Sequence, residues 1–263
     1  MQRVNKMPEK IDWDKMAVER MHSAPQPPKG MIRLSGPLEH DNIVNGDGLR
    51  AVVWTQGCPN HCKECQNPET WDYQGGFLVS TNEICEKLRA MGVNGLSIGV
   101  ESGDDETLLL ANKGYTSQDI LEQCQKLDEA GIEYYFVYMT GLAGKGNGYR
   151  NAINSAKLFS KLNPYFIHVD SLTLFRDTKL YQMAQKGEFI EAGEQERVKE
   201  MQHFIENLQN RTHLFANTVS NFYPVSAYLP KERAKVLDEL EQVINTFTEE
   251  EMRTYRKGLK SLG

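Results

Sequence analysis

The 263-residue chain contains no apolar run near the roughly 20 residues that a membrane-spanning helix needs. Its first residues, MQRVNKMPEKIDWDKM, lack the apolar stretch of a secretory leader. It has no basic excess. Thirty Lys and Arg stand against 36 Asp and Glu, a net charge of −6. That balance argues against broad nucleic-acid binding, which leaves a basic footprint. Cysteines are few and odd in number, five in a chain too long to depend on a disulfide scaffold. These absences predict a protein of the reducing cytoplasm, with neither membrane nor nucleic acid as partner. The 40% hydrophobic content is enough for a sizeable core.

Three of the five cysteines are concentrated in one place. Cys58, Cys62 and Cys65 are spaced C-x3-C-x2-C, and the apolar run Ala51-Val52-Val53-Trp54-Thr55 leads into them through Gly57. Thiolates on one short loop can converge on one metal centre. Iron–sulfur clusters usually take four cysteines, so a trio without a fourth leaves one iron open for chemistry. Zinc is the structural alternative. It usually needs four ligands, typically as spaced pairs; His61 could serve as the fourth, but it lies inside the same tight loop and no second Cys pair exists.

The rest of the chain alternates strands and helices. Residues 1–30 read as a flexible lead-in ending in the proline-rich Ala24–Gly30, and residues 31–263 as one core domain. Strands are predicted at Met31–Leu34, Ala51–Thr55, Leu96–Val100, Tyr134–Met139, Phe166–Leu172 and His213–Val219. Helices are predicted at Thr81–Met91, Thr116–Ala130, Asn151–Leu162, Glu194–Gln209 and Lys231–Phe247. Tyr134–Met139 is a continuous β-prone run of the kind buried on both faces. This alternation predicts an α/β fold with a parallel sheet or barrel, and a site at the C-terminal ends of its strands. Glu101 and Ser102 end one such strand. Gly141 opens a glycine-rich loop, read as flexible, that lacks the order of a phosphate-binding loop. Cys85 and Cys124 read as buried residues of apolar helix faces. His168, alone within a strand, reads as a core residue.

At the cysteines the chain resembles the radical S-adenosylmethionine (SAM) superfamily, whose hallmark is C-x3-C-x2-C after the first barrel strand. The resemblance implies a partial (β/α) radical SAM barrel. It implies Cys58, Cys62 and Cys65 as ligands of a 4Fe–4S cluster whose open iron binds SAM. It also implies Glu101, Ser102 and Gly141 as SAM contacts. For Glu101 and Ser102 the competing reading is a strand end, with Ser102 and Asp104 capping a turn.

Two branches of the superfamily are represented. Ile43–Arg50, Trp54-Thr55-Gln56-Gly57-Cys58-Pro59 and Cys65–Asp72 resemble the activating proteins of anaerobic ribonucleotide reductase, over about residues 32–80. From about residue 95 onward the chain is similar to the oxygen-independent coproporphyrinogen oxidase-like group. Leu96–Glu106, Tyr138–Gly144, Leu172–Tyr181 and Ser220–Pro224 carry that likeness. Arg176-Asp177 stand where this group has Pro-Gly, and no Gly-Gly-Glu-Pro-like segment follows the cysteines. Two explanations remain open: a barrel shortened by one or two strand–helix units, or a fusion of two halves.

The resemblance implies an oxidoreductase that cleaves SAM, in first place an activase acting on a glycyl radical enzyme such as anaerobic ribonucleotide reductase. A small-molecule enzyme of the coproporphyrinogen oxidase-like group is the alternative. A non-catalytic iron–sulfur or zinc protein is the alternative from another class. A low-potential electron donor, flavodoxin or ferredoxin, is implied as a partner. Cys62→Ala is expected to abolish cluster uptake on anaerobic reconstitution. Iron and sulfide retained at wild-type levels would refute the ligand assignment.

Overall fold

The computed structural model describes residues 27–42, 50–58, 67–93, 95–176 and 178–258. Most of the predicted lead-in, with Cys62, Cys65 and residues 43–49, lies outside these residues. The chain divides into two compact units, Met1–Asn94 and Gly95–Gly263.

In the first unit, β1 (Met31–Leu34) pairs antiparallel with β4 (Phe77–Ser80), and β2 (Glu39–Asn42) with β3 (Arg50–Val52). The strand predicted at Ala51–Thr55 is therefore short and antiparallel, and is not the first strand of the parallel sheet. Its partner is the nearest preceding strand, and Trp54 Nε1 donates to Glu39 Oε1 at 2.9 Å beside it. Helix α1 (Thr81–Ala90) supplies Ile84 to a small core with Leu34 and Val79. Cys85 is exposed, contrary to expectation. It sits about 100° round the helix from Ile84, whereas Leu88 lies one turn on and shares its face.

The second unit is built on a five-stranded sheet in the order β5 (Gly95–Glu101), β6 (Glu133–Thr140), β7 (Phe166–Ser171), β8 (Thr212–Ala216), β9 (Val225–Leu229). The first four strands are parallel, and β9 returns antiparallel to β8. The sheet ends at β5 and β9, so the described residues form no closed barrel.

The helices of this unit are α2 (Asp105–Leu110), α3 (Ser117–Ala130), α4 (Gly148–Phe159), α5 (Lys179–Gln185), α6 (Glu194–Asn207), α7 (Arg233–Thr246) and α8 (Glu249–Lys257). Helix α3 shows why such segments begin and end where they do. Thr116 and Asp119 form a reciprocal capping box, and Gly131 ends the helix at φ +65°.

The strand order follows the sequence order. Successive parallel strands joined by crossovers of one hand carry their helices on one face of a sheet. The burial pattern agrees. Tyr134, Phe136, Tyr138, Ile167, Val169, Leu214 and Ala216 are fully buried in the main core with Phe159, Phe204 and Leu240. The alternate residues Tyr135, Val137, Met139, Phe166, His168, Asp170, His213 and Phe215 are only half-buried. Strand β6 is thus covered on one face, which corrects the expectation of burial on both.

Cys124 is buried as expected, and burial pushes its thiol up to about 11. Phe159 meets Phe136, Tyr138 and Phe204 at ring-centroid distances of 4.7, 6.2 and 5.7 Å. Phe159→Ala is expected to cost about 3–5 kcal/mol, read as a lower urea midpoint at unchanged m-value.

Candidate functional site

In the first unit the stems of the cysteine loop are tied together. The backbone N–H groups of Gly57 and Cys58 both donate to the Thr70 carbonyl, at 2.7 and 3.0 Å. Thr70 in turn donates through its N–H and Oγ1 to the Asn67 carbonyl. Gln56 Nε2 reaches across to the carbonyls of Glu69 and Asp72. Gly57 is required here. Its φ is +96°, and a Cβ would lie 2.8 Å from the Tyr73 ring. Cys58 is half-buried and forms no disulfide among the described residues. A thiol at an anchored, partly shielded stem, beginning a loop that carries two more thiols, is a donor set that fits an iron–sulfur cluster. Among the described residues no group of three or more His, Cys, Asp or Glu could hold a metal.

In the second unit polar residues gather at the C-terminal ends of β5, β6 and β7. Glu101 closes β5 at φ +63°, an uncommon conformation for a side-chain-bearing residue. Its Oε1 lies 3.4 Å from Lys113 Nζ, which also donates to the Gly99 carbonyl at 2.8 Å. Its Oε2 is buried with no hydrogen-bond partner. Burial raises the Glu101 carboxyl despite Lys113, and the charge of Asp170 adds to the rise. A buried, unpaired carboxylate oxygen at a strand end is what a ligand donating hydrogen bonds would complete.

Ser102 and Gly141 point elsewhere. Ser102 is fully buried, with Oγ donating to Asn151 Oδ1 at 2.5 Å and accepting the Asp104 N–H at 2.9 Å. Asp104 caps α2 by accepting from the Thr107 N–H and is held by Arg150 and Asn154. Gly141, at φ +79°, donates its N–H to Glu200 Oε2 at 2.8 Å. Gly141 to Gly144 are all buried, so the start of this loop is packed rather than flexible.

Glu200 organises this corner. Its Oε1 accepts from Tyr138 OH at 2.9 Å and Asn151 Nδ2 at 2.7 Å. Burial raises its carboxyl to about 7, against the three hydrogen bonds that stabilise its charge. Asp170, near the end of β7, is held the other way. Burial opposes its ionisation, but His168, Thr218 and Ser220 outweigh that and lower its carboxyl. Thr218 Oγ1 donates to Asp170 Oδ1 at 2.6 Å.

The sequence reading passes over Glu200 and Asn151 and leaves His168 in the core. Glu200 lies one turn from both Arg197 and Phe204, which are also buried, a spacing that marks it as inward-facing. His168 and Asp170 alternate with Ile167, Val169 and Ser171, which places them on the uncovered face.

The family described as a 4Fe-4S single cluster domain matches residues 44–134. Pyruvate formate-lyase-activating enzyme of Clostridium pasteurianum is 41% identical over 51 residues, 19% of this chain and 21% of that protein. Anaerobic ribonucleoside-triphosphate reductase-activating protein of Haemophilus influenzae is 27% identical over 66 residues, 24% of this chain and 43% of that protein. An uncharacterized protein of Methanocaldococcus jannaschii is 26% identical over 156 residues, 53% of this chain and 48% of that protein. The matched region thus spans less than half the length of each of these relatives.

The Glu200 carboxyl binds its proton more tightly folded than unfolded. Its folded value of about 7 exceeds the ordinary 4.5, so stability from this group is full below about pH 4.5 and declines as pH rises towards 7. Glu200→Gln is expected to flatten the slope of unfolding free energy between pH 5 and 7. An unchanged slope in urea titrations would show that another group sets it.

Proposed function

We propose that this chain, whose resemblance to the radical SAM superfamily is borne out by these matches, reductively cleaves S-adenosylmethionine. A 4Fe–4S cluster and SAM are the cofactors the matches imply. The observation that carries the reading is the C-x3-C-x2-C spacing inside the region matched by the 4Fe-4S domain. Cys58, Cys62 and Cys65 would hold the cluster, and the anchored stem at Gly57 and Thr70 supports that role. When bound, the cofactors supply a 5′-deoxyadenosyl radical.

Glu101 would contact SAM through its unpaired Oε2. Ser102 and Gly141 would act behind it, by fixing the turn after β5 and the start of the loop after β6. The five-stranded sheet would be the remaining part of a partial radical SAM barrel, short by one or two strand–helix units.

The finer reading is an activase that generates a glycyl radical on a partner enzyme, with a flavodoxin or ferredoxin as electron donor. The names of two relatives, both activating proteins, support it. The small-molecule reading is favoured by a different observation, the polar and aromatic face that the sheet leaves half-exposed. Anaerobic reconstitution with iron and sulfide, followed by a reductant and SAM, is the test. Iron bound with 5′-deoxyadenosine formed is expected. Zinc binding without SAM cleavage would overturn the reading. A glycyl radical signal on added anaerobic ribonucleotide reductase would select the activase.

A further inference from the structure

The helix side of the second unit holds a cavity of about 410 Å³. It opens between the turn after β5, the first turns of α2 and α3, and the side of α4. Its size falls within the range of small-molecule sites, about 300–1,000 Å³. Gly103 lets the turn approach α4 this closely. A Cβ there would lie 2.7 Å from the Ser155 Cα and 3.1 Å from Leu158. The Gly103 N–H donates to Ser155 Oγ at 2.7 Å, and Asn154 Nδ2 donates to Asp104 Oδ1 at 2.6 Å. These bonds fix one wall against the other.

The charges in the cavity are unevenly matched. Its three carboxylates are all answered from within the protein. Asp104 accepts from Thr107, Asn154 and Arg150. Glu106 pairs with Arg150 Nη1 at 2.7 Å, and Asp105 Oδ1 accepts the Ser117 N–H at 2.6 Å. Arg150 is thereby committed to two acids. Lys157 on α4 and Lys161 just beyond its end line the same cavity and are exposed. Among the described residues neither ammonium group has a hydrogen-bond or ion-pair partner. The helix itself offers Lys157 none. Its neighbours three and four residues away are Ile153, Asn154, Ser160 and Lys161. Like charges at that spacing repel, so an anion between the two lysines would relieve a standing cost. Leu121 and Leu158 give the cavity an apolar part.

We propose that this cavity binds a small molecule carrying a phosphoryl group. Lys157 and Lys161 hold the phosphoryl oxygens, and Leu121 and Leu158 receive the apolar body. A phosphoryl group spreads its charge over three strong acceptor oxygens, which ammonium groups meet as point charges. A carboxylate is matched best by the planar fork of a guanidinium, and Arg150 is already taken. The site needs neither the cluster nor SAM, and so stands apart from the cleavage reading.

The test uses the full chain as isolated, with phenyl phosphate as the probe and phthalate, also an aromatic dianion, as its carboxylate counterpart. Acylation of lysines by an N-hydroxysuccinimide ester is mapped by mass spectrometry with and without each compound. Phenyl phosphate is expected to slow acylation of Lys157 and Lys161 and to leave the exposed Lys235 unchanged. In equilibrium dialysis, Lys157→Gln combined with Lys161→Gln is expected to weaken phenyl phosphate binding by about tenfold or more, as loss of charge-assisted hydrogen bonds does. Lys157→Arg combined with Lys161→Arg, which keeps the charge, is expected to retain most of it. Protection that is absent, or equal at Lys235, overturns the proposal. So does protection by phthalate as strong as by phenyl phosphate, and so does an affinity shared by wild type and the double Gln variant. Absence of 5′-deoxyadenosine from reconstituted wild type would instead remove the cleavage reading and leave these measurements unchanged.

Discussion

A single buried carboxylate ties the second unit together. Glu200 projects from α6 and receives Tyr138 from β6, the Gly141 N–H from the turn after it, and Asn151 from α4. Asn151 passes the connection to Ser102, at the end of β5. The end of β6 and helix α4 thus share one acceptor on α6, and the end of β5 joins them through Asn151. Burying an ionised group is costly unless hydrogen bonds replace its water. Three donors do so here, and the raised carboxyl shows that they do so incompletely. Removing any one of them would leave a polar group stranded in the core, which usually costs more than the bond itself contributes.

The second constraint is topological. Because the strands lie side by side in chain order, the helices stack on one face. The other face is left to Tyr135, Met139, Phe166, His168, Asp170, His213 and Phe215. These are side chains with apolar bodies and, in several cases, polar tips. Such a surface is less costly in water than an aliphatic one, and it offers both stacking and hydrogen bonding. The network around Glu200 fixes strand ends from the helix side, and His168 and Asp170 look out from the opposite side.

Much of the second unit is legible in the sequence. Segments with strong period and clear stops, such as Ser117–Ala130 before Gly131, come out within a residue or two. Short elements do not. Helices α2 and α5 and strands β4 and β9 escape the sequence reading, since four to seven residues carry too little periodicity to stand out. The role of Ala51–Thr55 is misread because an apolar run fixes burial but not partner choice. The cysteines are legible because their spacing is itself the chemistry. Glu101 stands out in the sequence by its place at a strand end. Glu200 does not, because a glutamate in a helix rich in charge looks solvated until its neighbours on the same face are compared. Ser102 and Gly141 read from the sequence as ligand contacts because the partners that turn them inward, Asn151 and Glu200, lie about 50 to 60 residues further along the chain.

The tied stem at Thr70 also bears on how a cluster would be acquired. Hydrogen bonds from Gly57 and Cys58 to Thr70 close a loop of about a dozen residues. Part of the entropy of bringing the ends together is then met by folding, and the cost of closing a loop rises only slowly with its length. Were Cys58, Cys62 and Cys65 to hold a cluster, their thiolates would share the high effective concentration that a short linker gives. A cluster held in that way would be hard to release one ligand at a time. A substitution that loosened Thr70 would weaken metal retention without touching a cysteine.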